Sequence, residues 1–200
     1  MPIHPLAVYD RCQIPIGGAD LKRRTFAATA AAVAASTAGC GPRLAPGYRF
    51  FNKDQARTID AWTECLIPAD DMPGASQAEV VRYIDLQLTR RFKKLQEPYQ
   101  RASEAINAMA SRAHAKPFAD LPIDQQTALL QTLEKGQGDK SIWGNDGGKS
   151  AFDMVLNHTM QGFFGNPRHG GNRDYASWRL VGVSPLPVRG RLHYTFEENS

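Results

Sequence analysis

Apolar residues recur at helical spacing after residue 51, and they predict a series of amphipathic helices. The first begins where Asn52 and Gln55 have the sequence pattern of a capping box. It ends before Pro68, which cannot continue a helix. Its apolar positions repeat at i, i+3 and i+7, and they are Ile59, Trp62 and Leu66. This spacing predicts one buried helical face.

The second and third predicted helices follow the same rule. The second begins near Ala75–Ser76, after a turn at Pro73-Gly74, and the third ends before Pro117. The apolar face of the second consists of Val81, Ile84, Leu88 and Leu95, and that of the third of Tyr99, Ala102, Ile106 and Met109. The charged side chains of the second helix are predicted to stay in solvent: Arg82, Asp85, Arg90 and Lys93.

A glycine-rich stretch, "GQGDKSIWGNDGGK", separates the last two predicted helices. The fourth directs Leu130 and Leu133 inward and has Gly136 as its C-terminal cap. The fifth ends at Gly165 and Pro167, and its apolar face consists of Phe152, Val155, Met160 and Phe163. Because no run alternates as a strand does, the predicted fold is all-α. It is a small domain of about five helices over residues 51–183, with a glycine-rich C-terminal loop.

That loop, "GFFGNPRHGGNRDYASWRLVG", spans residues 162–182. Its glycines follow a helix rather than a strand, so a phosphate-binding loop is not expected. Two roles are compatible with each other: a rigid closure of the core with Trp178 packed beneath it, and an exposed recognition surface. Positive backbone φ angles are predicted at Gly162, Gly165, Gly170 and Gly171.

The first 39 residues have the features of a cleavable export signal. Arg23-Arg24 precedes Phe26, and an uncharged, alanine-rich stretch continues to Ala38. The stretch is shorter than the roughly 20 residues that a membrane-spanning helix needs. The arginine pair and Phe26 resemble the twin-arginine signal, whose translocase moves folded proteins, although Lys22 stands where Ser or Thr is more usual. Residues 40–50 are then a linker and residues 184–200 a C-terminal tail.

The three cysteines leave two alternatives open. "STAGC" resembles a lipobox, in which Cys40 is lipidated and becomes the new N-terminus, but ordinary cleavage after Ala38 is also compatible with the pattern. Cys12 leaves with the signal in either case. Cys65 then stands alone in an oxidising compartment, which indicates either a buried thiol or an intermolecular disulfide.

Charge and motif content exclude several functions. The first 39 residues hold four of the 24 Lys and Arg residues and two of the 20 Asp and Glu residues, so half of the net charge of +4 lies there. The remainder has no charge surplus that would favour nucleic acid. No CxxC pair or GxSxG motif occurs. His158 has no partner ligand at helical spacing and is predicted to be structural, and Asp70-Asp71 is predicted to form a turn.

Two long motifs, "IPADDMPGASQAEVVRYIDLQL" and "HTMQGFFGNPRHGGNRDYASWRLVG", are joined by the "LPIDQQTALLQTLE" helix. Over roughly residues 50–183 they resemble the small (gamma) subunit of membrane-bound gluconate 2-dehydrogenase, the subunit 3 family. The resemblance implies a large partner subunit that carries FAD and a further subunit with haem c. It also implies a periplasmic location at the inner membrane. The small subunit has no catalytic, cofactor or metal residues of its own, and its signal brings the folded flavoprotein through the twin-arginine translocase.

The resemblance also assigns roles to particular residues. The loop shapes a face for the large subunit, with Asn166, Arg168, Asn172, Arg173 and Trp178 as its members. Cys65 is either buried or forms a disulfide with that subunit. The alternative function is a free-standing exported helical lipoprotein with a ligand-binding or enzymatic site around His158, His169 and Asp174.

Overall fold

The computed structural model describes residues 45–183, so the predicted export signal, Cys40 and the tail 184–200 lie outside the described residues. The described part of the chain is helical and contains no strand, which confirms the all-α prediction. The α-helices are α1 Lys53–Leu66, α2 Val80–Leu88, α3 Gln96–His114, α4 Ile123–Glu134, α5 Lys140–Trp143, α6 Lys149–Phe164 and α7 Ala176–Leu180. Short 3-10 helices cover Lys93–Leu95, Phe118–Asp120, Pro167–His169 and Arg173–Tyr175. Within residues 45–183, no helix has both the length and the apolarity needed to cross a bilayer.

Helix α6 packs against α1, α2 and α4 at the centre of the domain, and α7 covers its C-terminal end. The predicted capping box is present at the start of α1. The Asn52 side chain accepts from the Gln55 amide at 2.8 Å, and the Gln55 side chain accepts from the Asn52 amide at 3.1 Å. The largest fully buried side chains are Trp62, Tyr99, Phe51, Phe118 and Phe163. The predicted inward faces of α1, α3 and α4 therefore form one core.

The second helix is shorter than predicted. It ends at Leu88, and Leu95 lies in a separate 3-10 helix. The chain reverses between them, where the Phe92 amide donates to the Gln87 carbonyl at 2.7 Å and the Gln96 side chain donates to the Leu88 carbonyl at 3.0 Å. Leu88 and Leu95 are seven positions apart, so the apolar spacing alone could not distinguish a turn from two more helical turns.

Two side-chain predictions on the helices are wrong, and one short helix was not predicted. Asp85 was expected in solvent and is only 1% exposed, whereas Met160 was expected in the core and is 43% exposed. The glycine-rich stretch before α6 contains α5, whose start is capped by the Asp139 carboxylate accepting from the Ser141 amide at 2.8 Å. Trp143 of α5 packs edge-on against Trp62, with ring centroids 6.4 Å apart.

Asp85 is buried because the chain before α1 crosses the face of α2 that carries it. Its carboxylate accepts three backbone hydrogen bonds, from the amides of Arg49 at 2.7 Å, Phe50 at 2.9 Å and Phe51 at 2.9 Å. Three charge-assisted hydrogen bonds offset the cost of burying the charge. The end of the linker is therefore held against α2.

Candidate functional site

The glycine-rich loop after α6 folds back over α2. The Arg173 amide donates to the Ala78 carbonyl at 3.1 Å, at the turn before α2. The prediction of positive φ is correct for Gly170, at 107°, and wrong for the other three glycines. At those positions the constraint is close approach: a Cβ on Gly171 would lie 2.2 Å from the Gly162 carbonyl oxygen. The glycines therefore allow the loop backbone to lie directly on α6.

Left-handed backbone conformations occur instead at three non-glycine residues of the loop. Asn172 has φ 49°, Asp174 φ 53° and Tyr175 φ 58°. Such conformations are costly for residues with a Cβ, least so for Asn and Asp, and they persist only where the surroundings hold them. The loop is thus a strained segment.

Asn172 holds this strained segment from inside. It is fully buried. Its Nδ2 donates to the Gly165 carbonyl at 2.9 Å, and its Oδ1 accepts from the Ser177 amide at 2.9 Å. Ser177 in turn donates to the Phe163 carbonyl. Asn172 therefore shapes the loop and does not itself face a partner.

The two arginines of the loop have different surroundings. Arg168 is exposed, and its Nε donates to His169 Nε2 at 3.0 Å. Arg173 is also exposed and forms an ion pair with Glu79, which pairs at 3.0 Å with Arg82 as well. Glu79 has a left-handed φ of 55°. Arg173 therefore joins two strained turns, and its exposed ion pair contributes at most about 1 kcal/mol to stability.

Trp178 and Asn166 fix the ends of the loop. The Trp178 Nε1 donates to the Phe164 carbonyl at 2.9 Å, at the end of α6, and its ring lies against Tyr175 with centroids 5.6 Å apart. Trp178 is half-buried, so it lies at the margin of the core and not beneath the loop. The Asn166 side chain accepts from the Arg168 amide at 3.1 Å and turns the chain out of α6.

A set of exposed apolar side chains lies at the two ends of the loop and just beyond them, and of its members only Trp178 is a predicted interface residue. We call it the α6–α7 patch; its members are Met160, Phe164, Trp178, Leu180, Val181 and Val183. Met160 and Phe164 are four residues apart on one face of α6. That spacing was visible in the sequence, but the assignment of Met160 to the core obscured it.

His158 is a structural residue, as predicted. It is buried in α6, its Nδ1 lies 2.9 Å from the Tyr99 hydroxyl, and Phe92 stacks on its ring at 4.2 Å. Burial lowers the pKa of His158, and burial raises the pKa of Tyr99 well above its usual value. The ring is therefore neutral at physiological pH and makes one internal hydrogen bond.

His158 makes the stability of the domain depend on pH. The pKa of His158 in the folded chain lies below the ordinary value of 6.5. Between these two pKa values, the unfolded chain binds a proton at His158 and the folded chain does not. The contribution of the neutral His158 ring to the free energy of unfolding is fully present above about pH 6.5, and it is lost as the pH falls below that value. We expect the free energy of unfolding to fall by up to about 1.4 kcal/mol per pH unit there, measured by urea unfolding.

The matched control for this pH dependence is His158→Gln, which keeps a polar side chain beside Tyr99 but cannot titrate. Its free energy of unfolding should change less between pH 6.5 and pH 5 than that of the unaltered chain. An identical slope in the two proteins would show that other groups cause the pH dependence.

The residues of the alternative site do not come together. His158 contacts Tyr99 and Phe92, whereas His169 bonds Arg168 and Asp174 lies 3.6 Å from Arg173. Among residues 45–183, no group of three or more His, Cys, Asp or Glu side chains could hold a metal ion.

Cys65 makes a hydrogen bond inside the domain. The Cys65 thiol is half-buried and donates to Gln126 Oε1 at 3.2 Å, and burial raises its pKa to about 11. A thiol with that pKa is a poor nucleophile at neutral pH. The choice between a buried thiol and an intersubunit disulfide stays open.

Asp70 accepts from the Met72 amide at 2.8 Å, which confirms the predicted turn.

A recess of about 730 Å³ lies between α3, α5 and the start of α6. Its lining is mainly apolar and includes Ile142, Trp143 and Met154. Asp146 also lines it, but its carboxylate caps α6 by accepting from the Gly148 and Ser150 amides, both at 3.1 Å. Arg101, Glu104 and Ser150 also line the recess, and the buried Nε1 of Trp143 has no hydrogen-bond partner among residues 45–183. The lining contains no group of His, Cys, Asp and Glu side chains that could hold a metal ion.

A family model described as gluconate 2-dehydrogenase subunit 3 matches residues 53–185. This range begins with α1 and includes every helix described above, the loop and the α6–α7 patch. Curated proteins and solved structures gave no match. The chain belongs to the gluconate 2-dehydrogenase subunit 3 family, whose members are subunits of a multi-subunit dehydrogenase.

Proposed function

We propose that this chain is the non-catalytic small subunit of a periplasmic, membrane-associated, FAD-dependent dehydrogenase of the gluconate 2-dehydrogenase type. In this role it stabilises the folded flavoprotein subunit and escorts it through the twin-arginine translocase. FAD belongs to the partner, and haem c to a further subunit. The observation that carries the proposal is the family match over residues 53–185.

The geometry of the loop supports a binding role. Its backbone is held by Asn172, by the close approach of Gly171 to Gly162, and by Arg173 at the turn before α2. A surface that is already ordered loses little conformational entropy when a partner binds. The loop nevertheless leaves the side chains of Arg168 and Arg173 exposed, and arginine is common at interfaces.

Co-purification tests the proposed function. The chain carrying a C-terminal tag, expressed in its own organism in place of the untagged copy, should be isolated from detergent-solubilised membranes. We expect a larger chain to accompany it with the absorbance spectrum of bound flavin, in constant ratio to the tagged chain. A tagged chain that is recovered folded and free of flavin contradicts the proposal.

Replacement of Arg173 separates assembly from folding. Arg173→Ala should leave the isolated chain folded, because its ion pair is exposed and contributes at most about 1 kcal/mol. It should weaken assembly by a factor of roughly thirty, the effect of losing about 2 kcal/mol at a central interface arginine. The measurements are the thermal melt of the isolated chain and the flavin recovered with the tagged chain.

Glu79→Gln is the control for Arg173→Ala. It removes the same ion pair but leaves the guanidinium in place. If Arg173 contacts the partner, only Arg173→Ala reduces flavin recovery. Equal losses in both variants would show that Arg173 acts only by holding the turn at Glu79. A complex of Arg173→Ala with normal occupancy but slower turnover per flavin would place the loop at the active site instead.

A further inference from the structure

We propose that the α6–α7 patch is the apolar part of the surface that binds the large flavoprotein subunit, and that it acts in this surface together with the arginines of the neighbouring loop. This inference rests on the proposed function and adds a specific contact surface to it. The surface lies on the outer face of α6 and on α7, and it extends beyond residues 162–182 to Met160 and Val183.

The two elements that carry the patch adjoin each other. Trp178 connects them, because its Nε1 donates to the Phe164 carbonyl at 2.9 Å and its own carbonyl accepts from the Val183 amide at 2.8 Å. Excluding half-buried Trp178, the members of the patch are 40% to 54% exposed. Among the described residues, the other exposed large apolar side chains are Met72, at 36%, and Ile123, at 54%, which lie on different segments. The exposed apolar surface is therefore concentrated on α6 and α7.

Concentration of this kind points to a binding surface. Contiguous exposed apolar side chains are unusual on a protein that acts alone, and this chain belongs to a family of subunits. Met, Phe, Trp and Arg are the residue types enriched in the centres of protein interfaces. The α6–α7 patch and the adjoining loop combine all four types.

Charge at the margin of the patch indicates the chemistry of the partner. Arg168 and Arg173 are exposed in the loop beside the patch, and Asp174 is the acidic residue between them and α7. A basic margin around an apolar centre is complementary to an apolar surface bordered by carboxylates. Because this chain belongs to a family of subunits, we assign the surface to the large subunit of the complex and test a second copy as the alternative.

Aspartate substitutions test this assignment. Met160→Asp and Leu180→Asp place a charge at the patch from two different helices. Ile123→Asp is the control in the first turn of α4, at a position that is 54% exposed, against 43% for Met160 and 45% for Leu180. Each tagged full-length variant is isolated from membranes as above, and its fold is checked by thermal melting. We expect both patch variants to recover less flavoprotein by about tenfold or more, and Ile123→Asp to recover the normal amount.

Each outcome has a definite meaning. If the unaltered chain binds the flavoprotein and folded patch variants bind it equally well, the patch assignment is overturned and the proposed function stands. If the unaltered chain carries no flavoprotein, the proposed function fails and the assignment fails with it. If the patch variants abolish a homodimer, seen by sedimentation, or release an intact flavoprotein complex from the membrane, the occupant is a second copy or lipid. Either result overturns the assignment. The tail would be the occupant if the patch variants bind the flavoprotein normally and removal of residues 184–200 increases dye binding at the patch. That result would also overturn the assignment.

Discussion

Replacing Asp85 with alanine should lower the free energy of unfolding by about 3 kcal/mol or more, because it leaves three backbone amides without their acceptor. The Asp85 carboxylate is 1% exposed and accepts from the amides of residues 49–51. The Phe51 amide is fully buried and cannot turn to water. The loss of these three hydrogen bonds should also release the segment before α1 from α2. Chemical unfolding of the isolated chain measures the first effect, and protease sensitivity near Arg49 measures the second.

Two further variants separate the causes. Asp85→Asn keeps one acceptor oxygen but removes the charge, so its loss should be smaller than that of Asp85→Ala and still measurable. Asp153→Ala removes an exposed carboxylate that pairs with Lys149 on α6, and it should cost only a few tenths of a kcal/mol. A cost for Asp85→Ala as small as that for Asp153→Ala would mean that the linker amides find other partners.

The parts of the fold that the sequence predicted depend on neighbours within one helix. The capping box of Asn52 and Gln55 is such a case, because both hydrogen bonds join residues three positions apart. The buried faces of α3 and α4 likewise follow from residues one helical turn apart. Local spacing determines these features, and the predictions of them are confirmed.

The wrong predictions depend on segments that are distant in sequence. Asp85 was placed in solvent because its helix alone gives no reason to bury it; the reason is a segment 34 to 36 residues earlier. Met160 was placed in the core because apolar spacing does not show which apolar positions lack a covering element. Periodicity along one helix contains no information on either point.

The sequence indicated where the loop lies, but not which contacts hold it. Glycine content indicated the loop, whereas the strained conformations lie at Asn172, Asp174 and Tyr175. At Asn172, buried hydrogen bonds to the surrounding chain compensate for this strain. Those bonds join the loop to the end of α6, and no local pattern specifies them.

Replacing Arg23 and Arg24 together with lysine should prevent both this chain and its flavoprotein partner from reaching the periplasm. The pair precedes Phe26 in the arrangement that resembles a twin-arginine signal. Lysine keeps the positive charge but not the planar guanidinium, so a loss would reflect recognition of arginine and not of charge. In the proposed function, a partner that carries FAD folds before export, and this chain supplies the signal for both chains. Fractionation of cells followed by flavin-dependent dehydrogenase activity in the periplasmic fraction measures the effect.

Arg11→Lys is the control for the arginine pair, because it makes the same chemical change in the same segment outside the motif. It should leave both chains exported. With the pair replaced, the flavoprotein should accumulate in the cytoplasm with its flavin bound, because its folding does not depend on the signal. Retention of this chain alone, with normal flavoprotein activity in the periplasm, would support the signal but refute the escort role. Normal export of both chains would refute the signal itself. The two parts of the proposed function can therefore fail separately, and the variant that retains both chains supports them together.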